Sequence, residues 1–373
     1  MKLLQALFFP PEQPGGVSSM IPFLQERFSP PRWEMDLFSI PKRVRAKGNA
    51  TIRFQTFDWT EYAESPVVQK YVQTYRDYIW WTKLRIDTNY DLIHSHHPIV
   101  GMAMKDVFPD IPVIQTVHSS FERELILNGR IPENGPEHQF FVSLYRELEH
   151  RTDRLVTVSQ SFADYLAHYV DHPEKIAVIP NGYDEKRFKP VSHENEVAQL
   201  VTVCRLVPAK GLDILLQACS LLKQKNVPFV LHIIGDGPNR QELEALAKSL
   251  HIYEETIFYG YTLHPEEFMP FFDIFVLPSR AEAFGSVFAE AALCSLALVG
   301  SDVGGIPEQI DHGANGLLVP SEDPGSLSIA LEELILDPDY RYTLARAASE
   351  QAKTKYSLNR AVYDLKKLYL EYQ

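Results

Sequence analysis

Short apolar runs alternate along this chain with longer amphipathic stretches, in two series. In the first series Leu3–Phe9, Asp91–His94, Val113–Gln115, Arg154–Val158 and Ile176–Ile179 have the length and composition of short strands. Between them, Pro66 to Ile86 places Val68, Tyr71, Val72, Tyr75, Ile79 and Leu84 near helical spacing. The pattern pauses at Pro180-Asn181-Gly182-Tyr183-Asp184, which is turn chemistry, and stays polar through Glu196. It then restarts, with strands over Leu200–Val203, Phe229–Ile234, Thr256–Tyr259, Ile274–Leu277, Ala297–Gly300 and Gly316–Val319. Helical stretches cover Gly211–Lys223, Asn239–Leu250, Ala283–Ala292 and a final Leu358–Tyr372 with a Leu/Tyr face. Strands that are apolar throughout and separated by helices belong in parallel sheets covered on both faces. The expectation is an α/β protein of two parallel-sheet domains with a boundary near Pro180. Ligands of such sheets bind beyond the C-terminal strand ends, so a crevice shared by the two domains is the expected site.

Composition narrows the classes. A chain of 373 residues, 45% hydrophobic, can fill two cores, since domains run to roughly 100–200 residues. The formal net charge of −13 argues against nucleic acid as a partner, because binding along a phosphate backbone comes from Lys and Arg. The chain would also be repelled by an anionic membrane unless a local basic patch compensates, so any membrane contact would be peripheral. Cys204, Cys219 and Cys294 match no metal spacing and sit in apolar surroundings, as buried thiols of a reducing compartment do. Met1 to Phe9 reads as a first buried strand rather than a signal peptide. No apolar run reaches the ~20 residues of a membrane span. A soluble, cytoplasmic protein is expected, and Asn49-Ala50-Thr51 then has no meaning as a glycosylation sequon.

Four features converge on an anionic nucleotide ligand. Gly15-Gly16 follows the first strand, where a backbone without side chains lets N–H groups approach a phosphate; an ordinary turn is the alternative. Arg205 and Lys210 lie in a loop between a strand and a helix, where a diphosphate would sit; a solvated loop is the alternative. Gly235-Asp236-Gly237-Pro238 is a tight strand-end turn that either lines a pocket or is purely structural. The most informative is Glu282-Ala283-Phe284-Gly285-Ser286-Val287-Phe288-Ala289-Glu290, two carboxylates with seven residues between them. A helix beginning near Glu282 would offer the N–H groups of Phe284, Gly285, Ser286 and Val287 to an anion. Glu290 would lie two turns in, about 12 Å along the axis, and a carboxylate can accept from both hydroxyls of a ribose. Neighbouring Ala289, Ala291 and Ala292 argue for close packing rather than an exposed face.

On these residues the chain resembles glycosyltransferase family 4, and the likeness covers nearly its whole length. The Glu282–Glu290 segment preceded by Val276-Leu277-Pro278-Ser279 carries it. So do Val303-Gly304-Gly305-Ile306-Pro307-Glu308, Asn315-Gly316-Leu317-Leu318-Val319 and Ile179-Pro180-Asn181-Gly182. The resemblance implies the GT-B architecture, two Rossmann-like parallel-sheet domains facing a central cleft. Residues 1–185 would bind the acceptor and 186–355 the nucleotide-sugar donor, with a C-terminal helix of about 356–373 crossing back. It further implies that Arg205 and Lys210 hold the diphosphate, Glu282 the donor sugar and Glu290 the ribose. Gly15 and Gly16 would border the donor phosphate and the acceptor. His118, in Gln115-Thr116-Val117-His118-Ser119, matches the histidine that faces the reacting sugar.

Other features fit less closely. His94-Ser95-His96-His97 matches the family's strand-end histidine segment, with His96 the residue to line the acceptor side. The spacing is too tight for a tetrahedral metal set. Aromatics from Trp59 to Trp81 suit either a sugar groove or core packing, and Lys42, Arg43, Arg45 and Lys47 either an anionic acceptor or solvent. The activity implied is a retaining transfer of a hexose or N-acetylhexosamine from a nucleotide sugar, UDP-linked by family frequency. The acceptor would be a small molecule, a glycan or a lipid-linked compound. No cofactor or metal is expected. The alternatives are an epimerase or hydrolase, a synthase acting on a sugar phosphate, and a non-catalytic nucleotide-sugar sensor.

Overall fold

The computed structural model describes residues 1–8, 21, 24–40, 56, 58–86, 89–192 and 194–373. Gly15, Gly16 and the basic residues 42–47 lie outside the described residues. The chain divides into two compact units, Met1–Gly182 with Ala361–Gln373, and Tyr183–Arg360.

The first unit holds a six-stranded sheet of β1 (Lys2–Ala6), β2 (Glu34–Phe38), β3 (Leu92–Ser95), β4 (Val113–Val117), β5 (Arg154–Thr157) and β6 (Ile176–Val178). Every pairing is parallel, in the order β2-β1-β3-β4-β5-β6. Among its helices are α1 (Pro66–Arg85), α2 (Pro98–Val107), α3 (Phe121–Leu127), α4 (Pro136–Arg151) and α5 (Gln160–Ala167). The periodic stretch predicted over 66–86 is α1, with Ser65 capping and Pro66 in the first turn. Its inward positions Val68, Val72, Tyr75 and Tyr78 are buried. So much for the aromatics: Tyr75 and Tyr78 are core residues rather than a sugar platform, whereas Trp80 is exposed.

The second unit repeats the plan with β7 (Ala198–Val203), β8 (Phe229–Ile234), β9 (Thr256–Gly260), β10 (Ile274–Leu277), β11 (Ala297–Ser301) and β12 (Leu317–Val319). These strands are again all parallel, in the order β12-β11-β10-β7-β8-β9. The helices are α6 (Leu212–Gln224), α7 (Arg240–Ser249), α8 (Ser286–Leu293), α9 (Pro324–Leu336) and α10 (Pro338–Lys355). One core joins α6, α7, α9 and α10 to the strands through residues such as Leu215, Leu231, Val276, Val299 and Leu331. The last helix, α11 (Leu358–Tyr369), starts in this unit, and its residues from Ala361 onward group with the first.

Both strand orders contain a reversal. In the first sheet it falls between β1 and β3, in the second between β7 and β10. Loops leaving the C-terminal ends of such a pair run in opposite directions and leave a gap between them, which is where open α/β sheets take ligands. The β7 and β10 ends lead directly into the segments carrying Arg205, Lys210 and Glu282.

One predicted boundary is corrected. The helix expected from Ala283 begins at Ser286. Gly285 stands before it at φ +81°, a left-handed conformation that stops the helix from extending backwards. Phe284 is therefore not in the first turn; it is a buried residue whose ring meets Tyr356 edge-on at 5.2 Å.

Candidate active site

In the second unit the β7 and β10 loops are tied together by Arg280. Its amide donates to the Ala209 carbonyl at 2.8 Å and its guanidinium to the Pro208 carbonyl at 2.5 Å. Two parallel bonds of 2.9 and 2.7 Å run from the same guanidinium to Asp213, and it also pairs with Glu322. This planar fork fixes the turn that carries Lys210. The Lys210 ammonium pairs with the Glu282 carboxylate, to which Ser279 Oγ also donates at 3.1 Å. The two residues to which sequence gave separate tasks are thus direct partners. Arg205, at the start of the same loop, is exposed.

The Glu282 backbone is held from the other side by the Val303-Gly304-Gly305 turn. Gly305 N–H donates to the Glu282 carbonyl at 3.1 Å. Gly304 sits at φ +53°, and a Cβ there would lie 1.8 Å from the Glu282 carbonyl oxygen. The Gln309 amide donates to the carbonyls of Phe284 and Gly285, and buried Asn315 donates to the Gln309 carbonyl at 3.0 Å. The backbone into α8 is therefore fixed before any ligand arrives. With the helix starting at Ser286, the amides of Ser286 and Val287 open its N-terminus and favour an anion; those of Phe284 and Gly285 precede it. Gly235 ends β8, and a Cβ there would meet the Cys204 carbonyl at 1.8 Å. It thus serves close packing of two loops.

Glu290 lies four residues past the helix start, about 6 Å along the axis, rather than two turns in. It is half-buried among buried Ala289, Ala291 and Ala292. Burial pushes its carboxyl up to about 8; Arg187 opposes the shift and Glu266 adds to it. Those two groups are themselves a bidentate ion pair, at 2.8 and 2.9 Å. Arg187 sits just past the inter-domain turn, where no pattern marked it.

In the first unit the predicted histidines join a buried polar chain. His96 Nδ1 lies 3.0 Å from His118 Nε2, and His96 Nε2 lies 2.7 Å from Gln5 Oε1. The Gln5 amide donates to the Tyr369 hydroxyl at 3.1 Å. That hydroxyl lies 2.6 Å from His94 Nδ1, whose other nitrogen lies 2.7 Å from Thr116 Oγ1. Burial holds His94, His97 and His118 down to about 3 and His96 well below its ordinary value, so all four rings are neutral at pH 7. His97 caps α2 by accepting from Ile99 N–H and stacks on Phe8 at 4.0 Å. The rings form a chain and do not converge on one point, as a metal site would require. Among the described residues, donor atoms of Glu149, His150 and Asp171 do lie within 4.8 Å of one another. That group is already balanced by Lys175 on Glu149 and Arg146 on Asp171.

Sequence reasoning missed Gln5 and Tyr369, and named His94 and Thr116 only as members of the two histidine segments, with no role. A glutamine inside the apolar run Leu3-Leu4-Gln5-Ala6 was the available signal, because a polar side chain in a strand buried on both faces must find partners. Among the described residues no helix is long and apolar enough to cross a membrane.

Comparison with known proteins agrees with this layout. Residues 183–354 match the family profile described as glycosyl transferases group 1, and residues 29–187 match the one described as glycosyltransferase family 4. A D-inositol 3-phosphate glycosyltransferase of Corynebacterium jeikeium is 31% identical over 311 residues, covering 76% of this chain and 73% of that one. Sucrose-phosphate synthase from Thermosynechococcus elongatus superposes with a TM-score of 0.81 at 19% identity, over 100% of this chain and 99% of that one. Anabaena HepE in complex with UDP-glucose superposes with a TM-score of 0.74 at 19% identity, over the full length of both chains.

Proposed function

Since the chain belongs to glycosyltransferase family 4 and has the GT-B fold, we propose that it transfers a hexose or N-acetylhexosamine from a UDP-linked donor to a hydroxyl acceptor, with retention at the anomeric carbon, in the cytoplasm. The observation that carries this reading is the meeting of Lys210, Glu282 and the α8 N-terminus on the two loops that flank the β7/β10 reversal.

Cleavage of the bond between sugar and diphosphate develops negative charge on the leaving group and positive charge on the ring. Arg205, Lys210 and the amides of Ser286 and Val287 stabilise the former. Glu282 accepts from the sugar hydroxyls and keeps the sugar in register, while its pairing with Lys210 holds the ammonium ready for the phosphate. Glu290 bonds the ribose. His118, neutral, accepts from a sugar hydroxyl rather than acting as a cationic acid. Attack from the face of the departing phosphate, with that phosphate taking the acceptor proton, gives retention. Two cations and a helix terminus supply the charge a divalent metal would bring, so the reading requires none.

A second reading concerns the acceptor. The Corynebacterium jeikeium relative is named for a phosphorylated polyol, which favours a sugar- or polyol-phosphate acceptor for this chain; charge reversal at Lys42, Arg43, Arg45 and Lys47 tests it by abolishing transfer to phosphorylated acceptors alone.

The donor assignment is tested by a thermal-shift panel of UDP-, GDP- and ADP-sugars on the wild type and on Glu290→Ala. A ligand at 100 times its Kd stabilises by about 2.7 kcal/mol. The UDP series is expected to raise Tm in the wild type and to lose most of that rise in the variant. A panel in which no nucleotide sugar shifts the wild type counts against the assignment.

A further inference from the structure

The buried chain in the first unit has a direction, and the direction decides what His118 offers. Each neutral imidazole has one N–H and one bare nitrogen, so fixing either end fixes every ring between. The Gln5 carboxamide directs its amide to the Tyr369 hydroxyl and its oxygen to His96 Nε2. An oxygen can only accept, so His96 carries its proton on Nε2 and its Nδ1 is bare. His118 Nε2, 3.0 Å from that bare nitrogen, must then be its donor. On the other branch the Tyr369 hydroxyl, having accepted from Gln5, donates to His94 Nδ1, and His94 Nε2–H donates to Thr116 Oγ1. Every contact is satisfied with all rings neutral.

The opposite polarity would turn the Gln5 amide over and reverse each bond. The two arrangements differ at His118 Nδ1, which is buried and has no hydrogen-bond partner among the described residues. In the first arrangement that atom is a bare lone pair; in the second it is a buried N–H without an acceptor among the described residues. A buried donor and a buried acceptor left unmade both carry a desolvation cost, so this atom does not by itself choose between the two arrangements. The polarity is set by the Gln5 and Tyr369 contacts.

We propose that Gln5 is a positioning residue which, through His96, locks His118 in the Nε2–H tautomer and keeps its Nδ1 as an acceptor. Tyr369, on α11, anchors the Gln5 amide from the other side and so belongs to the same lock. Nδ1 is covered in this structure, so the ligand suited to it is one that displaces that cover and donates a hydrogen bond there. A sugar hydroxyl is the ligand of that kind under the transferase reading, on which this consequence for substrate rests; the tautomer itself does not depend on it.

The test is two-bond proton–nitrogen NMR of the full-length, unliganded protein labelled with 15N in histidine, with His118→Gln identifying the pair of signals that belongs to His118. In the wild type, Nδ1 of His118 is expected at the shift of an unprotonated ring nitrogen and Nε2 at that of a protonated one. Gln5→Met removes the acceptor and should move the two shifts toward each other as both tautomers populate. Gln5→Glu restores an acceptor at the same place and should restore the wild-type pattern, which a merely structural role for Gln5 would not predict. A wild-type His118 protonated on Nδ1, or an unchanged pattern in Gln5→Met, overturns the proposal. The wild-type spectrum decides the polarity alone, so a variant that fails to fold does not shelter it. Loss of the transferase reading would show instead as absent nucleotide-sugar binding with these spectra intact.

Discussion

The Glu290 carboxyl is pushed up to about 8 because burial removes water from it, and Arg187, the cation that opposes the shift, is already paired with Glu266. Two ribose hydroxyls donating to the carboxylate would favour the charged form and lower that value. Binding should then release a proton, and nucleotide affinity should rise between pH 6 and 8, by at most roughly tenfold per pH unit. Glu290→Gln should remove this rise; calorimetry in buffers of different ionisation enthalpy measures both effects. The sign for folding is opposite. The folded value exceeds the unfolded one, so between about 4.5 and 8 the unfolded chain gives up a proton that the native state keeps, and stability declines with pH across that window. At this scale the sequence was informative about identity but not about pairing: Glu282 and Lys210 were both singled out, yet 72 residues separate them and no local pattern shows that they touch. Gln5 and Tyr369 escaped for the same reason, since Tyr369 lies 364 positions from Gln5.

Among the elements, the backbone of the donor-side loops is fixed by close approach. Gly304, in the left-handed region, lets the turn after β11 lie against the Glu282 carbonyl. Gly304→Ala should destabilise the fold by at least about 1 kcal/mol from the backbone conformation alone. It should also displace Glu282, weakening donor turnover more than a surface substitution of equal cost would; Tm and kcat/KM on one preparation separate the two. Most strand positions were legible because apolar runs such as Phe229–Ile234 and Ile274–Leu277 are bounded by turn residues; the edge strand β2, Glu34-Met35-Asp36-Leu37-Phe38, was not, because two carboxylates interrupt it. Several helices were not. All seven residues from Pro98 to Met104 in α2 are buried, which erases the amphipathic period, although His97 and Pro98 mark its start. In α9 and α10 the Asp-Pro pairs at 323–324 and 337–338 are the local signal of a helix start, each Asp capping the first turn. The start of α8 was misplaced by three residues because Gly285 and Gln309 act against the helix from the loop side.

At the scale of the molecule, two parallel six-stranded sheets each place chemistry beyond their C-terminal edges, at the reversal of strand order. In the second unit that chemistry is a cation–carboxylate pair beside a helix N-terminus; in the first it is a chain of neutral histidines. This division was legible from the alternation of strands and helices, and the family from the Glu282–Glu290 segment. The acceptor was not legible, because acceptor contacts follow from loop shape rather than from a motif. The most direct measurement is product analysis by NMR after incubation with UDP-glucose, alone and with a panel of free and phosphorylated sugars and polyols, for the wild type and Lys210→Ala. The account predicts that UDP forms in step with a new glycoside of retained configuration, only when an acceptor is present, and on the order of 100-fold more slowly in the variant. Free glucose or an epimerised donor formed at the same rate without acceptor, or a product of inverted configuration, would contradict it.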